Sequence, residues 1–129
     1  MSSTNPWLVI AALSSCLAVI AGAYGAHGLN DDNFFKNAYD NAFKFHMWHS
    51  LALLGVAWFC ESRSTNNSGK AQAKWGARAG FLFVIGMFLF CGTLYSLGLN
   101  RALPIDGLAP AGGIFLMTGW ATLAFAATR

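Results

Sequence analysis

Charge is what this chain of 129 residues has least of: Asp, Glu, Lys and Arg make up 10% of it, against roughly 25% in an ordinary soluble domain. Four long stretches, Met1–Asn30, Phe45–Cys60, Ala79–Asn100 and Gly107–Thr128, carry no charged side chain at all. A soluble fold needs polar residues on its outward faces, and runs of this length leave too few. Cysteine is scarce and odd in number, with Cys16, Cys60 and Cys91 and no C-x-x-C pair. That excludes a disulfide framework, a thiolate metal site and a redox dithiol, so the three are read as buried structural thiols. Common catalytic words are missing as well. No H-E-x-x-H, G-x-S-x-G, P-loop or G-x-G-x-x-G occurs, and hydrolase or nucleotide chemistry has no footing. The net charge of +3 is not gathered along one surface, so nucleic acid is not an expected partner.

What fills the chain is apolar: 56% of residues are hydrophobic and the mean hydropathy is +0.48. A bilayer core about 30 Å thick needs roughly 20 such residues per helix. The stretches predict an all-α fold, an integral membrane four-helix bundle forming one domain over residues 1–129. Its spans are placed at about 6–28, 45–60, 77–99 and 108–127. Pro6 suits a helix start. The first span lacks the basic n-region of a cleaved signal and is read as retained.

A short amphipathic segment, 33–45, separates the first two spans, with Phe34, Phe35, Ala38, Tyr39 and Ala42 on one side and Lys36, Asp40 and Lys44 on the other. It either lies in the interface or extends the second span. Asn30, Asp31 and Asp32 supply a stop and a new cap, and Glu61–Lys74 reads as a polar loop. Basic residues are unequally shared between the two ends. Arg63, Lys70, Lys74, Arg78 and Arg129 fall on the side of the N-terminus, and Lys36, Lys44 and Arg101 on the other. That bias predicts an inner-membrane protein with both termini cytoplasmic.

Small residues mark helix contacts. Ala18, Gly22 and Ala26 repeat every fourth residue, as do Gly76 and Gly80, and Gly112, Gly113 and Gly119 lie in the fourth span. Trp7, Trp48 and Trp75 fall near the expected interfaces, where such rings anchor helices, and Trp58 and Trp120 lie deeper.

Ionisable groups in a membrane bundle are costly and so are functional candidates. His27 ends the first span, while His46 and His49, three residues apart, open the second. Tyr39, Ala42, His46, His49 and Leu53 fall on one stripe of a continuous helix. Both imidazoles can point at one centre there, with His27 approaching from the neighbouring helix. His27, His46 and His49 are therefore the candidate metal ligands. Tyr39, Tyr95 and Arg101 join them as candidate cofactor-binding residues at the same level, with Tyr24, Asp40 and Asp106 nearby. A haem between His27 and a second-span histidine, or a quinone headgroup, would suit such a cluster, although no motif names the cofactor. The competing reading is that each histidine is satisfied by a backbone carbonyl or water.

Several words in the sequence are unusual in combination. Gly22-Ala23-Tyr24-Gly25-Ala26-His27-Gly28-Leu29 resembles a G-A-F-G-A-H-x-L signature, and His46 and His49 followed by Leu51-Ala52-Leu53 resemble H-x-x-H-x-L-A-L. Gly92-Thr93-Leu94-Tyr95 resembles G-S-L-Y, and Pro104-Ile105, Gly112-Gly113 and Gly119-Trp120 resemble P-I-G-G and G-W. Together they are similar to the YgdD/YwdK-like family of small four-span membrane proteins, which has a mitochondrial relative in animals. The chain departs from that pattern where Asp106–Ala111 separates Pro104-Ile105 from Gly112-Gly113. The resemblance implies the fold and a membrane location and assigns no activity.

The leading functional expectation is a non-enzymatic accessory or scaffold partner of a larger membrane assembly, with the lipid bilayer and a membrane protein or a second copy as partners. The alternative is a redox-cofactor or metal-binding module built on the histidines at the outer face. A small-molecule transporter, acting as an oligomer, is the third reading, though the spans hold no Asp, Glu, Lys or Arg to bind an ion at their middle.

Overall fold

The computed structural model describes residues 3–29 and 32–129. They form four helices: α1 (Pro6–His27), α2 (Asn33–Arg63), α3 (Asn67–Gly98) and α4 (Leu108–Thr128). Each start has a local cause. Asn5 caps α1 by accepting the Leu8 amide at 3.2 Å, with Pro6 in the first helical position where a missing N–H costs nothing. Asp32 caps α2 through the Phe34 amide at 2.9 Å. Of the expected stop, Asn30 and Asp31 lie outside the described residues. Gly107 opens α4 at φ +85°, a left-handed conformation that glycine adopts without strain. This turn belongs to the extra Asp106–Ala111 segment, and Pro110 follows it inside the first helical turn.

The amphipathic segment is not a separate interfacial helix. It continues into the second span without a break, making α2 a single helix of 31 residues, about 46 Å long. Nor is Glu61–Lys74 a long loop. Asn66 caps α3 by accepting the Gly69 amide at 2.6 Å, so only Ser64–Asn66 connects the two helices. The polar residues after Asn66 form the first turns of α3 rather than loop.

Such short connections leave each helix antiparallel to the next. α2 and α3 form the central pair, with α1 packed on α2 and α4 packed on α3. Asn5 Nδ2 donates to Glu61 Oε2 at 3.1 Å, fixing the start of α1 to the end of α2. At the same end Gln72 donates to the carbonyl of Arg129, and Arg63 donates to Gln72 Oε1 at 3.1 Å.

The interfaces are built from small residues. A Cβ on Gly80 would lie 2.6 Å from the Trp7 ring, and one on Gly119 would lie 2.7 Å from Phe83. Gly112 faces the backbone of Phe90, and Gly25 and Gly98 lie against Tyr39 from α1 and α3. Trp7 is therefore a buried packing residue rather than an interfacial anchor.

The outer surface, like the core, is rich in large apolar side chains, unlike that of a soluble protein. Phe88, Trp58, Met117, Leu13 and Leu17 point outward, with Phe88 78% exposed, while His49, Ser50 and Gln72 are buried. Large apolar side chains outside and polar ones inside are stable only when the surroundings are hydrocarbon. α1, α3 and α4 are each long and apolar enough to cross a membrane. α2 is less apolar because its two ends carry exposed charged and polar residues, among them Lys36, Lys44, Glu61 and Arg63, and because His49 and Ser50 are buried within it. The molecule is an all-helical membrane bundle. Cys16 faces outward on α1, so of the three thiols only Cys91 is fully buried.

Candidate functional site

At the start of α1 the Trp7 ring packs on Gly80 and Phe81, bringing α1 and α3 together. Farther along they diverge, and a cleft of about 400 Å³ opens between them. Leu13, Leu17 and Phe88, all strongly exposed, form its mouth, so it opens sideways, where a bilayer would surround it. The walls are apolar. Its polar atoms come from Ser14, His46 and Tyr95.

These side chains are hydrogen-bonded in series. Tyr95 Oη lies 3.0 Å from His46 Nδ1, His46 Nε2 lies 3.1 Å from Ser14 Oγ, and Ser14 Oγ contacts Ser50 Oγ. Ser50, fully buried behind the cleft, donates to the His46 carbonyl at 2.7 Å. The series joins α1, α2 and α3 at one level. Ser14 is near the middle of α1 and His46 near the middle of α2, because the amphipathic residues lengthen α2 on the far side of His46.

The cluster of histidines expected at one end of the bundle is thus distributed differently. His46 faces α1 and α3, whereas His49 faces α3 and α4. Its Nδ1–H donates to the Phe45 carbonyl at 2.8 Å and its Nε2 accepts the Trp120 indole N–H at 3.1 Å. Both ring nitrogens of His49 are occupied by structural bonds, and its ring packs against Phe83. His27 is exposed at the last residue of α1. Among the described residues, no three His, Cys, Asp or Glu side chains are grouped as a metal ion would require.

Tyr39 is buried between α1 and α3, and its hydroxyl donates to the Ala21 carbonyl at 2.8 Å. Its ring meets that of Tyr95 edge-on, with centroids 5.0 Å apart, so Tyr39 supports the cleft from behind without lining it. Arg101 and Asp106 are exposed in the connection before α4, and Asp40 is half-buried on α2. Of the candidate residues, then, the structure brings His46 and Tyr95 together, packs Tyr39 on Tyr95, and separates His27, His49 and Arg101 from them. Ser14 and Ser50 were not singled out in the sequence. Ser50 is one turn beyond His46, and Ser14 sits inside an apolar run, a position where a hydroxyl needs a partner.

The chain matches the model of a protein family described as protein of unknown function (DUF423) over residues 21–113. It is 30% identical over 125 residues to a UPF0382 membrane protein of Staphylococcus epidermidis, covering 95% of each chain. It is 31% identical over 123 residues to one of Haemophilus influenzae, covering 94% of this chain and 92% of that one. The UPF0382 membrane protein YwdK of Bacillus subtilis is 29% identical over 125 residues, with 95% and 96% covered. No solved structure matches significantly. The matched segment contains His46 and Tyr95 of the cleft and Ser50 behind it. On the extent of that match the chain belongs to the DUF423 family.

Proposed function

We propose that this protein is a non-enzymatic accessory of the membrane that holds a lipid-soluble molecule in the cleft between α1 and α3. One observation carries the reading: the Tyr95–His46–Ser14 series provides the polar atoms in a space whose walls and mouth are otherwise hydrocarbon-like. Ligand pockets are mostly apolar with a few convergent polar groups, and typically fall between about 300 and 1,000 Å³. A site that opens sideways takes its occupant from the bilayer rather than from water. A role within a larger membrane assembly suits such a holder, because α4 is packed on one side only and Ile114 and Met117 on its other side remain available.

A haem or metal carried by His27, His46 and His49 finds less support. Ligation needs a free imidazole lone pair, and in this geometry both nitrogens of His46 and of His49 already have partners. The basic bias supports an inner-membrane protein with four crossings, α2 among them, and cytoplasmic termini.

The test is to purify the protein in mild detergent and measure co-retained lipids by native mass spectrometry, beside His46→Leu and Leu17→Trp variants. A near-stoichiometric adduct in the parent, lost in both variants while size and melting temperature hold, is the expected result. Absence of any retained adduct from the parent in gently extracted membranes would overturn the proposal.

A further inference from the structure

The direction of every hydrogen bond in the cleft series follows by elimination. Ser50 has one hydroxyl hydrogen, and it lies on the His46 carbonyl, which can only accept. Ser14 must therefore supply the hydrogen between the two serine oxygens. With its own hydrogen so used, Ser14 can only accept from His46, which places the imidazole proton on Nε2. A neutral imidazole protonated at Nε2 has a lone pair at Nδ1, so Tyr95 must donate its phenolic hydrogen to His46. No carboxylate lines the cleft to support an imidazolium in its place.

All four hydrogens, those of Ser50, Ser14, His46 and Tyr95, are thus engaged within the protein. Ser14 and Tyr95 line the cleft, and with their hydrogens used inside the series their oxygens have only acceptor capacity left to offer an occupant. Both oxygens already have a partner in the series, so an occupant gains a further hydrogen bond there only where it brings the hydrogen. A carbonyl or ether oxygen would instead set acceptor against acceptor.

We infer that the cleft is selective for a lipid-soluble compound with a hydroxyl headgroup, an alcohol or phenol on an apolar tail, over the corresponding ketone or ether. This rests on the proposed holding role and specifies its ligand. Ser50, which does not line the cleft, is the positioning residue that sets the selectivity. Without its hydrogen bonds, Ser14 is released to donate to His46, the imidazole proton can sit on Nδ1, and the Tyr95 hydroxyl is free to donate outward.

The experiment titrates 4-nonylphenol and its methyl ether, 4-nonylanisole, into the full chain in mild detergent and reads binding by calorimetry. The two probes share tail and ring, and the ether carries a methyl group in place of the phenolic hydrogen. The expected result is roughly tenfold tighter binding of the phenol, the scale of one matched hydrogen bond. In Ser50→Ala that ratio is expected to fall towards one, because the ether oxygen then gains the Tyr95 hydroxyl as a donor. Independently, ¹⁵N NMR of labelled histidine is expected to show the His46 proton on Nε2 in the parent and a share on Nδ1 in Ser50→Ala. Equal or tighter binding of the ether, or a parent protonated at Nδ1, would overturn the inference and leave the holding role standing. If neither probe binds, and no lipid is retained from the membrane, the holding role itself falls and the selectivity with it.

Discussion

Trp120 on α4 donates its indole N–H to Nε2 of His49 on α2 across 3.1 Å, passing beside Phe83 of α3, whose ring centroid lies 5.0 Å from that of the indole. α4 otherwise packs on α3, so this bond is its polar attachment to the centre of the bundle. Trp120→Phe keeps an aromatic ring against Phe83 but leaves Nε2 of a buried histidine without a donor. The variant should lose about 1–2 kcal/mol, the usual scale for an interhelical hydrogen bond whose partner is stranded. A double cycle with His49→Phe should show coupling, because the second change removes the stranded acceptor. Thermal melting in detergent reads both. Additive losses would mean the two side chains do not share a bond.

Glycine spacing makes a second set of expectations. Gly112 rests against the backbone of Phe90, and that backbone cannot swing aside as a side-chain tip can. Gly112→Val should separate α4 from α3 and cost about 1–3 kcal/mol or more, as overpacking does. Gly55 on α2 has nothing within 4 Å of an added Cβ. Gly55→Ala should be neutral or stabilising by about 0.5–1 kcal/mol, because alanine is the better helix former. Melting temperatures of the two variants should move in opposite directions. A stable Gly112→Val would show that the α3–α4 interface is looser than drawn.

The two ends of the bundle carry the topology. Asn5 with Glu61, and Gln72 with the Arg129 carbonyl, bring the start of α1, the α2–α3 turn and the end of α4 to one end. Single cysteines at Thr65 and Ala102, in a background with Cys16, Cys60 and Cys91 replaced by Ala, should label from opposite sides of intact cells. The basic bias predicts protection of position 65 and labelling of position 102 by an impermeant thiol reagent. Labelling of position 65 from outside would reverse the orientation, and equal labelling of both would remove α3 as a crossing.

Much of this architecture was legible because charge marks the ends of lipid-buried helices so plainly. The apolar runs coincide with helices α1 and α4 nearly to the residue, and the small residues expected at helix contacts include Gly80, which meets Trp7, and Gly119, which meets Phe83. The depth of the histidines was not legible. Lys36, Asp40 and Lys44 made the first turns of α2 look like an interfacial segment, so His46 and His49 looked like the beginning of a span. Their divergence was equally hidden. Residues three apart on a helix differ by about 60° around its axis. That angle is small enough to share one stripe, yet it turns His46 towards α1 and His49 towards α4 when two interhelical gaps lie side by side. Which of these arises depends on where α1 and α4 pack, and no local pattern in α2 records it.

Gly92 gives the cleft a test that leaves its polar atoms untouched. It lines the cleft on α3, one residue from Cys91 and three from Tyr95, and an added Cβ there meets nothing within 4 Å. A large side chain at this position would extend into the open volume rather than into a neighbouring helix. Gly92→Phe should therefore fill much of the roughly 400 Å³ while α3 keeps its contacts with α2 and α4. Replacing glycine within a helix also relieves the backbone entropy that glycine loses there, so the melting temperature should hold or rise slightly. Lipid retention by native mass spectrometry, and binding of both nonyl probes, should fall at least tenfold. Unchanged retention in a folded Gly92→Phe protein would place the bound lipid elsewhere on the bundle, and the hydroxyl series would then be a packing device joining three helices.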